Sequence, residues 1–329
     1  MVAYTGIQGQ NILIVSSDPS NPTEGQIWYN STSNLLKGYA NVVTNAWASG
    51  GNMNTARDRQ VQFGTQTAAL VAGGFPPPAG TTATETYNGT SWTTTPASYP
   101  AGKGAAGVGP QTAGLSFGGR TAAPYLTTTL LWDGSTWTTN PTGLNTGRSE
   151  GGGAGTQTAA LGFAGYDPFT SQTESWNGST WTVLPATINT VRRGVGSAGT
   201  QTAALMFGGQ LTPPNTPAKS TASESWNGST WTNTPSLNTG RNNLGGCGIQ
   251  TLAIGFGGDS GPGTSAATEL WNGSTWTTSP TSLASARRYI GGCGTQTAAL
   301  GAGGATPPTV ATTEEWTGSS VQVRTITTS

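Results

Sequence analysis

The stretch "SESWNGSTWT" (Ser223–Thr232) sets two tryptophans on either side of an Asn-Gly pair and a glutamate two residues ahead of the first. Nearly the same words recur at Glu174–Thr182 ("ESWNGSTWT") and Glu269–Thr277 ("ELWNGSTWT"). Asn-Gly is the preferred pair for a two-residue type I′ hairpin. In that register Trp226 faces Ser229 and Glu224 faces Trp231. Strand side chains alternate faces, so Glu224, Trp226, Ser229 and Trp231 share one face, with the tryptophans as diagonal neighbours. The stretch predicts a β-hairpin carrying an aromatic slab.

The hairpin belongs to a longer period. "TQTAAL" begins at Thr65, Thr156, Thr200 and Thr295, with "PQTAGL" at Pro110 and "IQTLAI" at Ile249, giving intervals of 45, 46, 44, 49 and 46 residues. A glycine pair follows in five copies, from Gly73-Gly74 to Gly303-Gly304, and Ala164-Gly165 stands in the third. Next come the paired aromatics Tyr87/Trp92, Trp132/Trp137, Trp176/Trp181, Trp226/Trp231 and Trp271/Trp276, then Trp316 with Val321 in the second place. A basic residue lies ten or eleven positions beyond the second aromatic: Arg57 (after Trp47), Lys103, Arg148, Arg192, Arg241 and Arg287. The unit holds four short strands and no helical period. Six such units predict an all-β fold of four-stranded antiparallel blades, a β-propeller.

The order of parts resembles the kelch repeat: a glycine pair after the second strand, spaced aromatics in the third and fourth, and an arginine opening the next unit. The resemblance covers roughly residues 36–326. Trp stands here where kelch often has Tyr. The combination of "TQTAAL" and a following "FGG" with "WNGSTW" is also similar to kelch-like proteins encoded by marine bacteriophages. "NPTEGQIWYNSTSNLLKGY" (Asn21–Tyr39) resembles a module near the N-termini of phage structural and fibre proteins. This second resemblance implies a virion protein; the fold expectation stands without it.

The glutamate recurs as Glu85, Glu174, Glu224, Glu269 and Glu314, with Leu130 in the second copy. Together with the six basic residues these are 11 of the 26 charged residues, which predicts Arg–Glu pairs near blade junctions. A catalytic residue is needed once and a scaffold residue in each blade, so the glutamates and Trp137, Trp181, Trp231 and Trp276 read as structure. Asn88, Asn177, Asn227 and Asn272 spell glycosylation sequons, but turn chemistry already explains them. Cys247 and Cys293 sit at equivalent "GGCG" positions on adjacent inner strands and are expected to be free, buried thiols.

Up-and-down strands put the Thr-Gln and Asn-Gly turns on one face and the loops after Gly-Gly on the other. From the glycine pair to the glutamate position the copies hold 10, 10, 8, 14, 10 and 9 residues. Variation in repeat proteins gathers where loops change without disturbing the scaffold. The loop face is therefore the expected binding face, with Phe75, Arg120, Tyr125, Tyr166, Asp167, Phe169, Lys219 and Asp259 as its candidate residues.

Residues 1–48 lack a glycine pair but contain four strand-like runs: Asn11–Val15, Gln26–Asn30, Leu35–Ala40 and Ala46–Ser49. Two readings stay open: a degenerate seventh blade, favoured because Trp47 precedes Trp92 in phase, or an arm that docks on other virion proteins. The last repeat is expected to carry its own fourth strand, Val321–Ile326. The domain reading is residues 1–48 as an N-terminal segment and 49–329 as the propeller.

Composition narrows function. The 329 residues include 51 glycines, 12 tryptophans and no histidine, and 13 basic residues balance 13 acidic ones. Without histidine, Ser-His-Asp and Cys-His catalysis are excluded, and so is the copper site of kelch-containing galactose oxidase. Bases scattered along the chain argue against nucleic acid, no apolar run reaches membrane-span length, and the N-terminus reads as lacking a signal peptide. The expectation is a non-enzymatic bacteriophage virion protein without cofactor or metal. It would be tail- or fibre-associated, made in the host cytoplasm, and present variable loops to a host-surface glycan or protein, with oligomers possible. The alternatives are a capsid decoration protein or a lectin-like propeller.

Overall fold

The computed structural model describes residues 12–326 apart from 43, 76–79, 101, 122–124, 167–168, 213–218 and 262. The described strands divide into two compact units, one drawn from Met1–Thr44 with Gly318–Ser329 and the other from Asn45–Thr317. The division falls after Thr44, four residues before the boundary expected from sequence.

In the larger unit the described strands form six four-stranded antiparallel sheets, with one further two-stranded pair. The first sheet runs Val61–Gly64, Ala69–Ala72, Ala83–Tyr87 and Trp92–Ser98, each strand pairing with the next. The pattern repeats over residues 106–140, 152–183, 196–234 and 245–278. The innermost strands Val61–Gly64, Ala106–Val108, Gly152–Gly155, Gly196–Gly199, Gly245–Ile249 and Gly291–Gly294 pack each on the next, and the last packs on the first. The arrangement is of propeller type.

The main chain closes the same circle. Gly104 N–H donates to the Arg59 carbonyl (2.8 Å), Glu150 to Gly104, Gly194 to Glu150, Asn243 to Gly194 and Tyr289 to Asn243 (2.7 Å each), and Arg59 to Tyr289 (3.4 Å). All six residues have positive φ, between 53° and 72°. For Arg59, Glu150, Asn243 and Tyr289 this left-handed conformation costs about 1–2 kcal/mol each, offset by six main-chain N–H groups finding carbonyl partners.

The sixth sheet corrects one expectation. Its outer strand is Ala46–Ser49, which pairs with Thr313–Thr317 and sets Trp47 opposite Trp316. The expected fourth strand lies elsewhere: Ser320–Thr325 pairs with Leu35–Val42 in the smaller unit. Trp47 was in phase because it takes the place of the second tryptophan of the last repeat. The smaller unit's sheet is completed by Ile27–Asn30 and by Leu13–Val15, which runs parallel to it. The four strand-like runs of residues 1–48 therefore exist, three in this sheet and one in the ring. The described inner strands close their circle within Asn45–Thr317, and the strands described before Thr44 form a separate sheet with Ser320–Thr325.

The opening hairpin also differs from its expected register. Trp226 lies directly opposite Trp231, Ser225 opposite Thr232 and Glu224 opposite Asn233. The loop is four residues, Asn227 to Thr230. Asn227 Oδ1 accepts the N–H groups of Ser229 (3.0 Å) and Thr230 (2.9 Å), and only Gly228 takes positive φ (94°). A type I′ turn needs positive φ at both central residues; here the asparagine side chain makes an Asx turn instead. Ser229 leaves the shared face, and the two indoles become direct neighbours, with centroids 5.5 Å apart.

The core is divided among the six sheet junctions, one apolar cluster at each. Across five of them a tryptophan of one sheet's outer strand meets a phenylalanine of the preceding sheet: Trp137 on Phe63, Trp181 on Phe117, Trp231 on Phe163, Trp276 on Phe207 and Trp47 on Phe256. Each indole also donates to a hydroxyl on the preceding sheet, as Trp231 Nε1 does to Thr173 (2.9 Å) and Trp276 Nε1 to Ser223 (3.1 Å). At the sixth junction Ala302 stands in the phenylalanine's place, and Trp92 Nε1 donates to Thr313 (2.9 Å). The Thr-Gln turns are clasps: Gln157 Nε2 donates to the carbonyls of Gly114 (3.0 Å) and Trp132 (2.7 Å) in the preceding sheet. The other five glutamines make the equivalent contacts.

Candidate binding face

The connection entering each sheet carries three consecutive residues with separate jobs. The first is the arginine. Arg57, Arg148, Arg192, Arg241 and Arg287 are buried and pair with Glu85, Glu174, Glu224, Glu269 and Glu314. Arg241 Nη2 lies 2.8 Å from Glu269 Oε1, and its Nη1 donates to the carbonyls of Gly257 (2.9 Å) and Ala267 (2.7 Å). The other carboxylate oxygen accepts the Asn238 N–H of the incoming connection at 2.7 Å. Each pair thus pins the segment that crosses from one sheet to the next. Burial holds these guanidinium pKa values below the ordinary arginine value, to about 10 for Arg192.

The second sheet departs from this, and so does its sequence reading. Lys103 is not the counterpart of the arginines. Backbone bridges align Lys103 with Asp58, Ser149, Asn242 and Arg288, so Gly102 occupies the arginine position. Leu130 occupies the glutamate position. Both charges are absent together, as expected where a lone buried charge costs several kcal/mol. Buried Tyr99 bonds Ser116 (2.8 Å) at this junction and packs edge-on against Trp137 (5.0 Å).

The second and third residues of each connection face the loops, and no two copies carry the same pair: Asp58-Arg59, Lys103-Gly104, Ser149-Glu150, Arg193-Gly194, Asn242-Asn243 and Arg288-Tyr289. The second residue pairs through the backbone with the residue after the glycine pair: Phe75, Arg120, Tyr166, Gln210, Asp259 or Ala305. The third residue forms the hydrogen-bonded circle. Loop candidates from distant parts of the sequence are thereby gathered around one axis.

Asn45–Thr317 contains eleven basic residues, five of them buried against glutamate. The remaining six, Arg59, Lys103, Arg120, Arg193, Lys219 and Arg288, all lie on this face. Glu150, 7% exposed, is approached by Arg193 (3.3 Å), Arg59 (3.6 Å) and Arg120 (4.0 Å). Asp259 is held by Lys219 (3.0 Å) and Arg288 (3.2 Å), and Asp58 by Arg59 (2.9 Å). Five of the six cations thus meet three described carboxylates.

Aromatic rings are laid between the cations. Tyr125 meets Tyr166 edge-on (5.5 Å) and Tyr166 meets Phe169 (5.0 Å). The Arg193 guanidinium lies over Tyr166 (4.6 Å), that of Arg59 over Tyr289 (3.5 Å), and the Lys103 ammonium over Phe75 (3.9 Å). Phe75, Arg120, Tyr125, Tyr166, Phe169, Lys219 and Asp259 therefore stand on one half-buried surface, while Asp167 lies outside the described residues. Sequence reasoning passed over Arg59, Glu150, Arg193, Arg288 and Tyr289. The signal was present, because no two copies carry the same residue pair at the two positions after the arginine.

Two cavities bear on chemistry. The central channel, about 470 Å³, is lined mainly by glycine-rich inner strands and by Cys247 and Cys293, both free and buried. Burial pushes the Cys293 thiol up to about 12. A second cavity, about 370 Å³, lies between the first and second sheets on the loop face, against Phe75, Lys103 and Arg120. Among the described residues no cluster of three or more His, Cys, Asp or Glu is placed to hold a metal ion. No helix among them is long and apolar enough to cross a membrane. No family model matches the chain, and no curated protein matches it either.

Proposed function

We propose that the chain is a non-enzymatic recognition module of a bacteriophage particle, a six-bladed kelch-like propeller that presents its loop face to a host-surface glycan or protein. One observation carries this reading: every cation of Asn45–Thr317 outside the buried Arg–Glu pairs stands on the loop face, interleaved with aromatic rings. Charged and aromatic side chains supply contact energy at recognition surfaces, and here they occupy the positions where the copies disagree. The carboxylates described there are each engaged by a cation, which fits binding better than acid–base chemistry. The phage assignment rests on the sequence resemblance.

The smaller unit fits attachment to other virion proteins. Ile12, Leu13, Ile14, Leu35 and Val323 expose large apolar side chains there, five of the eight such residues described in the chain. Exposed apolar surface of this kind marks contact sites.

The test has two parts. Density for a six-fold β-ring in the intact particle supports the virion role, and its absence overturns it. Purified protein should bind cell-surface material saturably, and Tyr166→Ala with Arg193→Gln should abolish binding without altering the fold. Binding unchanged by that pair removes the loop face from the reading.

A further inference from the structure

We infer that the cavity between the first and second sheets is a subsite for a carboxylated sugar, with Lys103 and Arg120 receiving the carboxylate. The inference deepens the recognition role proposed above and rests on it.

The cavity sits at the one junction without an Arg–Glu clasp. At the five others the arginine and glutamate fill the space under the loops. Here Gly102 and Leu130 replace them, and a Cβ at Gly102 would run into the Arg120 carbonyl. The glycine lets two strands approach: Lys103 N–H donates to the Arg120 carbonyl and Arg120 N–H to the Lys103 carbonyl, both at 2.9 Å. Two cationic side chains are thus held at paired positions. The volume, about 370 Å³, falls within the range of small-ligand pockets, roughly 300–1,000 Å³.

Charge picks out the ligand. Among the described residues no carboxylate lies within ion-pair distance of Lys103, whereas Arg59, Arg193, Lys219 and Arg288 each have one at 3.3 Å or less. Arg120 reaches Glu150 only at 4.0 Å, and its buried Nε has no hydrogen-bond partner. Burial, then repulsion from Arg120 and Arg59, lowers the Lys103 pKa, while Asp58 and Glu150 act the other way from beyond ion-pair distance. Among the described residues the other four cations of the face are interrupted by Asp58, Glu150 and Asp259, with Lys219 and Arg288 sharing Asp259, which breaks up the continuous basic track that a nucleic acid backbone requires. One isolated anionic group is the better match. Phe75, whose ring the Lys103 ammonium covers at 3.9 Å, lines the cavity together with Thr81 and Thr121. That mixture suits a sugar, which carries hydroxyls, an apolar C–H face and, in uronic or sialic acids, one carboxylate.

Isothermal titration of the full chain with a glucuronate-terminated oligosaccharide tests this. Its carboxyl-reduced counterpart, inorganic phosphate and a short acidic peptide are the comparison probes. Saturable binding of the acidic sugar is expected, with at least a tenfold loss in Lys103→Gln and in Arg120→Gln. Arg324→Gln, an exposed cation of the smaller unit, should bind as the parent does, and all three variants should keep the parent's circular dichroism. No binding, equal binding of the reduced sugar, equal binding of phosphate alone, or tighter binding of the peptide each overturns the inference. So does binding indifferent to Lys103→Gln and Arg120→Gln. If these two variants keep cell-surface binding while Tyr166→Ala with Arg193→Gln loses it, the subsite fails and the loop-face reading stands.

Discussion

The two ends of the same sheets obey different rules. At the turn end, side chains make the bonds that hold sheet to sheet: Gln157 reaches back to two carbonyls, Trp231 donates to Thr173, and Asn227 closes its own loop. At the loop end, above the buried Arg–Glu pairs, main chain does that work. Residues 58 and 75, and their counterparts in the other copies, pair through backbone bridges, and residues 59, 104, 150, 194, 243 and 289 close a circle of N–H to carbonyl bonds. A bond made by a side chain fixes the residue. A bond made by the main chain leaves the side chain free. The copies are alike at one end and different at the other for that physical reason, and the loop end can carry recognition without risk to the ring.

The sharpest way to break this contrast is to remove one buried charge. Glu269→Gln leaves Arg241 buried without its counter-ion and should cost about 3–5 kcal/mol in chemical denaturation. Replacing both partners with apolar residues, Arg241→Met with Glu269→Leu, should cost less than the single change. The second sheet already lives with Gly102 and Leu130. Equal losses, or no loss in Glu269→Gln, would refute the clasp.

Next in size is the inter-sheet indole. Trp231→Phe keeps an aromatic against Phe163 but removes the donor to Thr173, and should lower stability by about 1–2 kcal/mol. A change near zero would mean that ring packing alone joins the sheets.

A smaller effect comes from pH. The unfolded thiol titrates near 9 and native Cys293 near 12. Its folded pKa is raised, so its contribution is fully present below pH 9 and is lost as pH rises toward 12. The parent should lose stability above pH 9 more steeply than Cys293→Ala, and native protein should react slowly with thiol reagents at pH 8. Parallel slopes would exclude the thiol as the cause.

The smallest stability change belongs to the loop end. Tyr166→Ala should shift the midpoint little, by well under the cost of Trp231→Phe, because its backbone bridge to Ser149 survives. A loss comparable to that of a turn-end tryptophan would erase the distinction between the two ends.

Much of this was legible in the chain. The 46-residue period, the Gly-Gly and Asn-Gly punctuation and the paired tryptophans are local chemistry repeated, and they led to four-stranded sheets and to the faces they present. The glutamates and arginines were recognisable as scaffold because they recur. The failures share a cause. Reading Lys103 as an arginine equivalent was off by one position, and only backbone pairing could show that Gly102 takes that place. The type I′ turn was inferred from a dipeptide, whereas the Asn227 side chain builds a longer loop.

Sequence alone determined the repeat unit, the strand order within a sheet and the residues that join one sheet to the next, because those interactions lie within a single period and are written in every copy. Tertiary structure decided how the ring ends and what the loop face carries. Ala46–Ser49 completes the last sheet because closure is a property of the whole circle, which no local pattern encodes. The six cations of the loop face are spread from Arg59 to Arg288 and become one surface only when the circle brings their positions around a common axis.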